Sequence, residues 1–424
     1  MFRSRRSTEL SRRLCHEASH HSVPSEKKHL RAAVEILRAP ALSERECTVK
    51  LTSVSQDIEA TLRAISAIGA KVEAADGGIQ ITPIANAPES TVIDCGESGS
   101  TLRFILPVCA ALGIRARFIC RGRLAVRPLG DLRRALEEHG ISFDGDHAIE
   151  GQLTAGGFFL PGNVSSQHVT GLIFALSLLD GESKITLTSP LLSKPYVDIT
   201  RAVCASFGIT VSEGGGDFGS FTVKRAKNFV PPSEYPVEGD WSNAAFALAM
   251  SCRVSGLSPD SLQGDRAFCD ILEKLGGRIT FTDDTVAADT SALHAASFDA
   301  GDIPDIVPPI AVLCAVADGE SRISGIARLR IKESDRVKSV CDLINSLGGN
   351  CTDCGEELVI RGVGSLAGGE CSSHGDHRIA MSAALASCFC RNDVILCGAE
   401  AVSKSYPEFW EDFRRLGGSF REIS

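Results

Sequence analysis

Residues 331–336, Ile-Lys-Glu-Ser-Asp-Arg, set two cations and two carboxylates into six positions. They precede a stretch in which Val337, Val340, Cys341, Ile344 and Leu347 recur at helical spacing and a Gly-Gly pair closes the run. Ser334 or Asp335 suits the N-cap, and Asp335 also suits the positive end of the helix dipole. Lys332 and Arg336 have the wrong sign for that end. Two readings account for them: a solvated surface cluster, or a site where an anion sits between them.

The pattern recurs along the chain. Five helix-length segments are apolar nearly all round, and each follows a polar cluster: 96–113, 163–179, 239–252, 303–319 and 375–389. A helix apolar on every side belongs inside a domain. Its first N–H groups need partners, so Ser, Asp, Asn and Gly ahead of it are ordinary caps when each cluster is taken alone. Taken together, several clusters carry Arg, Lys or His that no cap requires. Repeats stacked in parallel would aim these ends one way, and two such faces across a cleft would trap an anion.

A repeat positions these segments. An amphipathic helix ending in glycine, followed by a short β-like run, returns at Gly69, Gly140, Gly208, Gly276, Gly348 and Gly417. The period is about 70 residues, the signature of a repeat architecture. Each glycine fits a left-handed helix C-cap, and the β-branched residues behind it fit a strand. Each repeat is expected to supply one buried helix, one half-exposed helix and strands that cover them. Counting back one period puts a sixth polar cluster near residue 30, at Ser25, Lys27, Lys28, His29 and Arg31. The Pro231-Pro232 pair interrupts the apolar pattern and divides the chain into 24–231 and 232–424, three repeats each. Residues 1–23, rich in Arg, Ser and His, read as a leader outside both, and nothing ahead of Pro24 reads as a strand.

Composition narrows the function. The 424 residues are 43% hydrophobic and 23% charged, ordinary for a globular chain with more than one core. A formal charge of −9 argues against nucleic acid as a main partner. No uninterrupted apolar run is long enough to cross a membrane. The 16 cysteines are scattered through apolar segments, as reduced small hydrophobes of a cytoplasmic enzyme would be. Cys351 and Cys354 have C-x-x-C spacing without a second pair or His partner at zinc-finger spacing, so no structural zinc is expected.

Nine motifs then stand in one order: DCGESGSTLRF, GRLAVRPLG, NVSSQHVTGL, LLSKPYVDIT, EGDWSNAAF, IPDIVPP, RIKESDR, GDHRIAM and SKSYPEF. In these the chain, from about residue 47 to its end, resembles the enolpyruvyl transferase family, and within it the EPSP synthase branch. The resemblance implies a two-domain, inside-out α/β fold of six repeats. It implies transfer of the enolpyruvyl group of phosphoenolpyruvate to shikimate 3-phosphate with release of phosphate, on the pathway to chorismate and the aromatic amino acids. No metal or organic cofactor is implied, and a cytoplasmic monomer is expected.

Residue by residue, the resemblance assigns shikimate 3-phosphate to Ser165, Ser166, Ser193, Tyr196 and Lys332, with Ser100 near the ring hydroxyls. Gln167 would touch both substrates. Phosphoenolpyruvate would meet Arg123, Arg336, Arg378, Lys404 and the backbone at Gly99; an arginine fork suits carboxylate and phosphate alike. Two carboxylates in unlike surroundings can divide acid and base work. Asp305 resembles the base for the hydroxyl, Glu333 the proton donor to the methylene carbon, and His377 a group that orients or shuttles protons beside Arg378.

The chain departs from the family pattern in three places. Glu97 and Arg328 stand where Asn is common. At the start, Pro24, Ser25 and Arg31 fall in register with P-S-K-S-x-x-[HN]-R, but Glu26 takes the lysine position. Two readings of this departure stand: Lys27, in the serine position, turns inward as the replacement cation for phosphoenolpyruvate, or the reading frame or start is altered here; Arg31 is assigned to shikimate 3-phosphate. Competing readings are a catalytically weak anion-binding relative, a transferase acting on UDP-N-acetylglucosamine through Cys120, and an RNA-end cyclase, which the net charge does not help.

Overall fold

The computed structural model describes residues 2–4, 22–24 and 39–422, apart from 52, 128, 226–228 and 283–284. These residues form six four-stranded sheets of one design. Ser90–Gly96 runs parallel to Arg115–Cys120, joined through the buried helix Gly99–Ala111. Ala148–Gly151 lies antiparallel to Arg115–Cys120, and Ile141–Phe143 pairs outside it after the half-exposed helix Gly130–Glu137. The sheets built on 157–224 and 297–361 repeat this order through the buried helices Ser166–Leu176 and Val307–Val316.

The other three sheets borrow a strand from far along the chain. Glu234–Pro236 lies parallel to Cys47–Lys50, and Ser22–Pro24 lies parallel to Arg253–Ser255. Phe2–Ser4 sits between Val394–Cys397 and Phe420–Glu422, antiparallel to both. The reading that no strand precedes Pro24 is therefore corrected. A three-residue strand is too short to show a period of two; what holds it is the ladder to partners remote in sequence.

The chain divides into two compact units, residues 28–237 and residues 1–27 with 238–424, where the sequence suggested 24–231 and 232–424. Each has one continuous apolar core threaded by its all-buried helices. Phe104, Leu106 and Phe174 in one unit, and Trp241, Val307 and Leu385 in the other, are at most 0% exposed. Burial of each such side chain stabilises by about 1.5–3 kcal/mol. The six repeat glycines all take positive φ, from 79° at Gly208 to 108° at Gly69, as left-handed helix ends require. Every described cysteine is free, and burial pushes the thiols of Cys269 and Cys314 up to about 12.

Candidate active site

In the unit containing 238–424, the Ile331–Arg336 segment ends a short turn, Ala327–Ile331, and opens the helix Arg336–Ser346. Asp335 is the N-cap, accepting the Lys338 N–H at 3.2 Å. This frees Arg336 to turn inward, where it is 1% exposed. Its Nε donates to Asp376 Oδ2 at 2.8 Å, Nη1 to Asp305 Oδ1 at 2.6 Å and Nη2 to Glu333 Oε2 at 2.8 Å. One guanidinium thus holds three carboxylates from three elements.

Asp305 precedes the Val307–Val316 helix without capping it, because Ile306 occupies the cap position. Its Oδ1 also lies 3.5 Å from Lys332 Nζ and 3.4 Å from Arg378 Nε. Burial works to raise the pKa of Asp305, but Arg378, Lys332 and Arg336 outweigh it and hold the carboxyl well below the ordinary range. Lys332 shows the converse: burial brings its ammonium down to about 8 against the pull of Asp305. Lys404, at the end of the turn Ala399–Lys404, approaches Glu333 Oε1 at 3.4 Å.

The helix His377–Ser387 is capped by Asp376, fully buried, which accepts the Arg378 N–H at 2.9 Å and the Ser334 hydroxyl at 3.1 Å. Arg378 Nη2 donates to Ser242 Oγ at 2.9 Å, and Ser242 in turn donates to Asp240 Oδ1 at 2.6 Å. Arg378 Nη1 is buried and makes no hydrogen bond among the described residues. Burial lowers the His377 imidazole to about 3, so it is neutral at physiological pH and acts as a dipole, not a cation. Asp305, Lys332, Glu333, Arg336, Arg378 and Lys404, named separately from the sequence, therefore form one network, and His377 borders it with Nδ1 3.7 Å from Asp376 Oδ1.

The unit 28–237 presents different helix ends. Ser98 caps Gly99–Ala111, accepting the Thr101 N–H at 3.3 Å and its hydroxyl at 2.8 Å. Ser165 caps Ser166–Leu176, accepting the Gln167 N–H at 3.3 Å. Ser193 opens Lys194–Ser206 in the left-handed region, φ 57°, with its side chain fully buried and Tyr196 buried one turn on. A serine held there carries backbone strain of the kind concentrated at ligand sites. The buried helices meet where Gly171, which has no room for a Cβ, packs on the Arg103 carbonyl.

Gly99 sits against two guanidiniums that sequence reasoning missed. A Cβ there would stand 2.8 Å from Arg103 Nη1 and 2.9 Å from Arg127 Nη1. Arg103 is 3% exposed and donates to the Gly99 carbonyl at 3.3 Å. Its signal in the sequence is its isolation, a lone charge in an otherwise apolar helix. Arg123, named from the motif, is exposed in the turn Gly122–Val126, while Ser100 lies on the first turn behind Gly99. Lys27 and Arg31 lie outside the described residues.

A family model described as EPSP synthase (3-phosphoshikimate 1-carboxyvinyltransferase) matches residues 22–413. The chain is 40% identical over 396 residues to a 3-phosphoshikimate 1-carboxyvinyltransferase of Clostridium beijerinckii, covering 88% of this chain and 90% of that protein. It is 39% identical over 402 residues to the protein of that name from Clostridium acetobutylicum, covering 91% and 92%. A solved EPSP synthase from Acinetobacter baumannii superposes with a TM-score of 0.79 at 24% identity, over 95% of this chain and 96% of that one, which speaks to the fold.

Proposed function

The chain belongs to the EPSP synthase family, and from that premise we propose that it transfers the enolpyruvyl group of phosphoenolpyruvate to the 5-hydroxyl of shikimate 3-phosphate. The observation that carries this is the cluster around Arg336. Four cations (Lys332, Arg336, Arg378, Lys404) stand among three carboxylates (Asp305, Glu333, Asp376), which suits anionic substrates able to compete for the cations. Ser165, Ser166, Gln167, Ser193, Tyr196, Ser100, Lys332 and Arg31 take shikimate 3-phosphate. Gly99, Arg123, Gln167, Arg336, Arg378, Lys404 and Lys27 take phosphoenolpyruvate.

In the addition step the 5-hydroxyl oxygen bonds to C2 of phosphoenolpyruvate, its proton leaves, and the methylene carbon gains one. In the elimination that carbon loses a proton, the double bond re-forms, and the bond to phosphate breaks. Asp305 receives the hydroxyl proton and Glu333 serves the methylene carbon. Asp305 is a weak base while three cations hold it. An arriving phosphate or carboxylate draws those cations away and raises its basicity where the proton must be taken. His377, neutral, orients groups beside Arg378.

Burial pushes the Cys120 thiol up to about 11, the reverse of what a reactive cysteine needs, which disfavours the UDP-N-acetylglucosamine reading. We place the enzyme in the cytoplasm as a monomer. The uniformly free described cysteines support a reducing compartment, and light scattering tests the monomer. The decisive assay is phosphate release from phosphoenolpyruvate with either acceptor. Release with shikimate 3-phosphate alone is expected; release with UDP-N-acetylglucosamine, or with neither, refutes the assignment.

A further inference from the structure

The C-x-x-C run at 351–354 has no place in the reaction, yet its first cysteine is paired. Cys341 Sγ, on the Arg336–Ser346 helix, stands 3.1 Å from Cys351 Sγ on the strand Asn350–Asp353. A disulfide needs about 2.05 Å, so roughly 1 Å of approach separates contact from bond. Asn345, one helical turn beyond Cys341, holds the strand in register. Its Nδ2 donates to the Cys351 carbonyl and its Oδ1 accepts the Cys351 N–H, both at 2.8 Å.

The strand is also tied to the candidate site. Arg330 donates to both Asp353 oxygens, at 2.8 and 2.7 Å, and to the Gly355 carbonyl at 2.9 Å. Arg330 lies in the turn leading into Lys332 and Glu333, while Cys341 shares a helix with Arg336. The sulfur pair therefore joins the helix that carries Arg336 to the strand that Arg330 holds.

We propose that Cys341 and Cys351 form a reversible disulfide in response to hydroperoxides, and that the bond shifts the Arg336 helix and lowers turnover. The turnover part rests on the reaction assigned above. The hydrogen bond from Cys351 brings the Cys341 thiol below its ordinary range against burial, whereas that same contact, and then burial, raises Cys351. Cys341 is thus the more readily ionised of the pair, and Cys351 the one that keeps its proton. The Cys341 thiolate attacks the peroxide O–O bond, taking one oxygen as a sulfenic acid and releasing water or an alcohol. Cys351 sulfur displaces that oxygen as water. Two thiols and one hydroperoxide give one disulfide, one water and one further water or alcohol, and a dithiol reductant reverses the change.

A displacement of about 1 Å at a reacting constellation lowers turnover about 10- to 100-fold. The experiment treats the full-length chain with hydrogen peroxide and follows three readouts: non-reducing peptide maps, hydrogen exchange of residues 336–346, and phosphate release. The expected result is a 341–351 crosslink, altered exchange and a loss of turnover restored by dithiothreitol. Cys354→Ser should behave as the parent, while Cys341→Ser and Cys351→Ser should stay active in peroxide. No crosslink at a dose that oxidises the exposed Cys354, or a crosslink that leaves exchange unchanged, overturns the proposal. A chain silent before oxidation counts against the assigned reaction instead, and the map and exchange still decide the disulfide.

Discussion

The two units end their buried helices with opposite electrostatics. In 28–237 the caps are neutral hydroxyls, Ser98 and Ser165, backed by hydroxyl pairs between helices: Thr61 with Thr101 and Thr170 with Thr200, each 2.8 Å. In the other unit two of the three buried helices, Trp241–Ala249 and His377–Ser387, are capped by the buried carboxylates Asp240 and Asp376, while Val307–Val316 has no side-chain cap. A hydroxyl satisfies a donor and leaves the positive end of the dipole uncompensated. A buried carboxylate cancels that field and adds a charge that something must neutralise. Arg336 and its neighbours are the answer in one unit, and the other needs none. The first design suits holding an anion; the second keeps ionised groups in a balance that an incoming anion can tip.

Breaking the charged design should have the largest effect. Arg336→Met leaves the buried Asp376 without its main counter-charge and Asp305 without its shortest ion pair, and it should destabilise its unit by about 3–5 kcal/mol in denaturant unfolding. A loss below about 1 kcal/mol would mean the network contributes far less than its geometry suggests.

The next effect is acid sensitivity. His377 has a folded pKa of about 3 against an ordinary 6.5, so the folded state binds fewer protons between those values. Stability present above pH 6.5 is then lost as pH falls towards 3, by up to about 1.4 kcal/mol per pH unit. Parent and His377→Gln, compared between pH 6.5 and 4.5, should show that slope in the parent alone.

Lys332 should act in the alkaline range. Its folded pKa of about 8 lies below the ordinary 10.5, so its burial penalty is present below 8 and relieved as pH rises to 10.5. The parent should gain on Lys332→Met by at most about 3 kcal/mol across that window, and parallel curves would count against the shift. The smallest effect belongs to the neutral design. Thr101→Val removes the hydroxyl bonds to Thr61 and Ser98 and should cost about 1–2 kcal/mol at every pH. A pH-dependent loss there would erase the contrast between the units.

Much of this was legible because it is local. Six helix-ending glycines, five all-apolar helices and the Asp335 cap follow from patterns within a dozen residues, and the structure bears each out. The motif residues around Arg336 were also named, though their mutual bonds were not. Asp376 went unremarked although it joins Arg336, Ser334 and the Arg378 N–H. As the residue before His377 it looked like an ordinary cap. Arg103 and Arg127 were missed because their value lies in flanking a glycine, and no spacing rule encodes that.

Residue order by itself determined the period of the chain, the class of each helix and the excess of cations ahead of the buried ones. These depend on neighbours three, four or 70 residues away, which periodicity records. Tertiary structure decided which sheet the strands Phe2–Ser4 and Ser22–Pro24 complete, and which carboxylates Arg336 holds. It also decided that His377 is neutral and that Cys341 meets Cys351. Such outcomes depend on contacts between distant segments and on the burial those contacts create. A charge acquires its pKa, and a thiol its partner, only once the fold has removed water and chosen the neighbours.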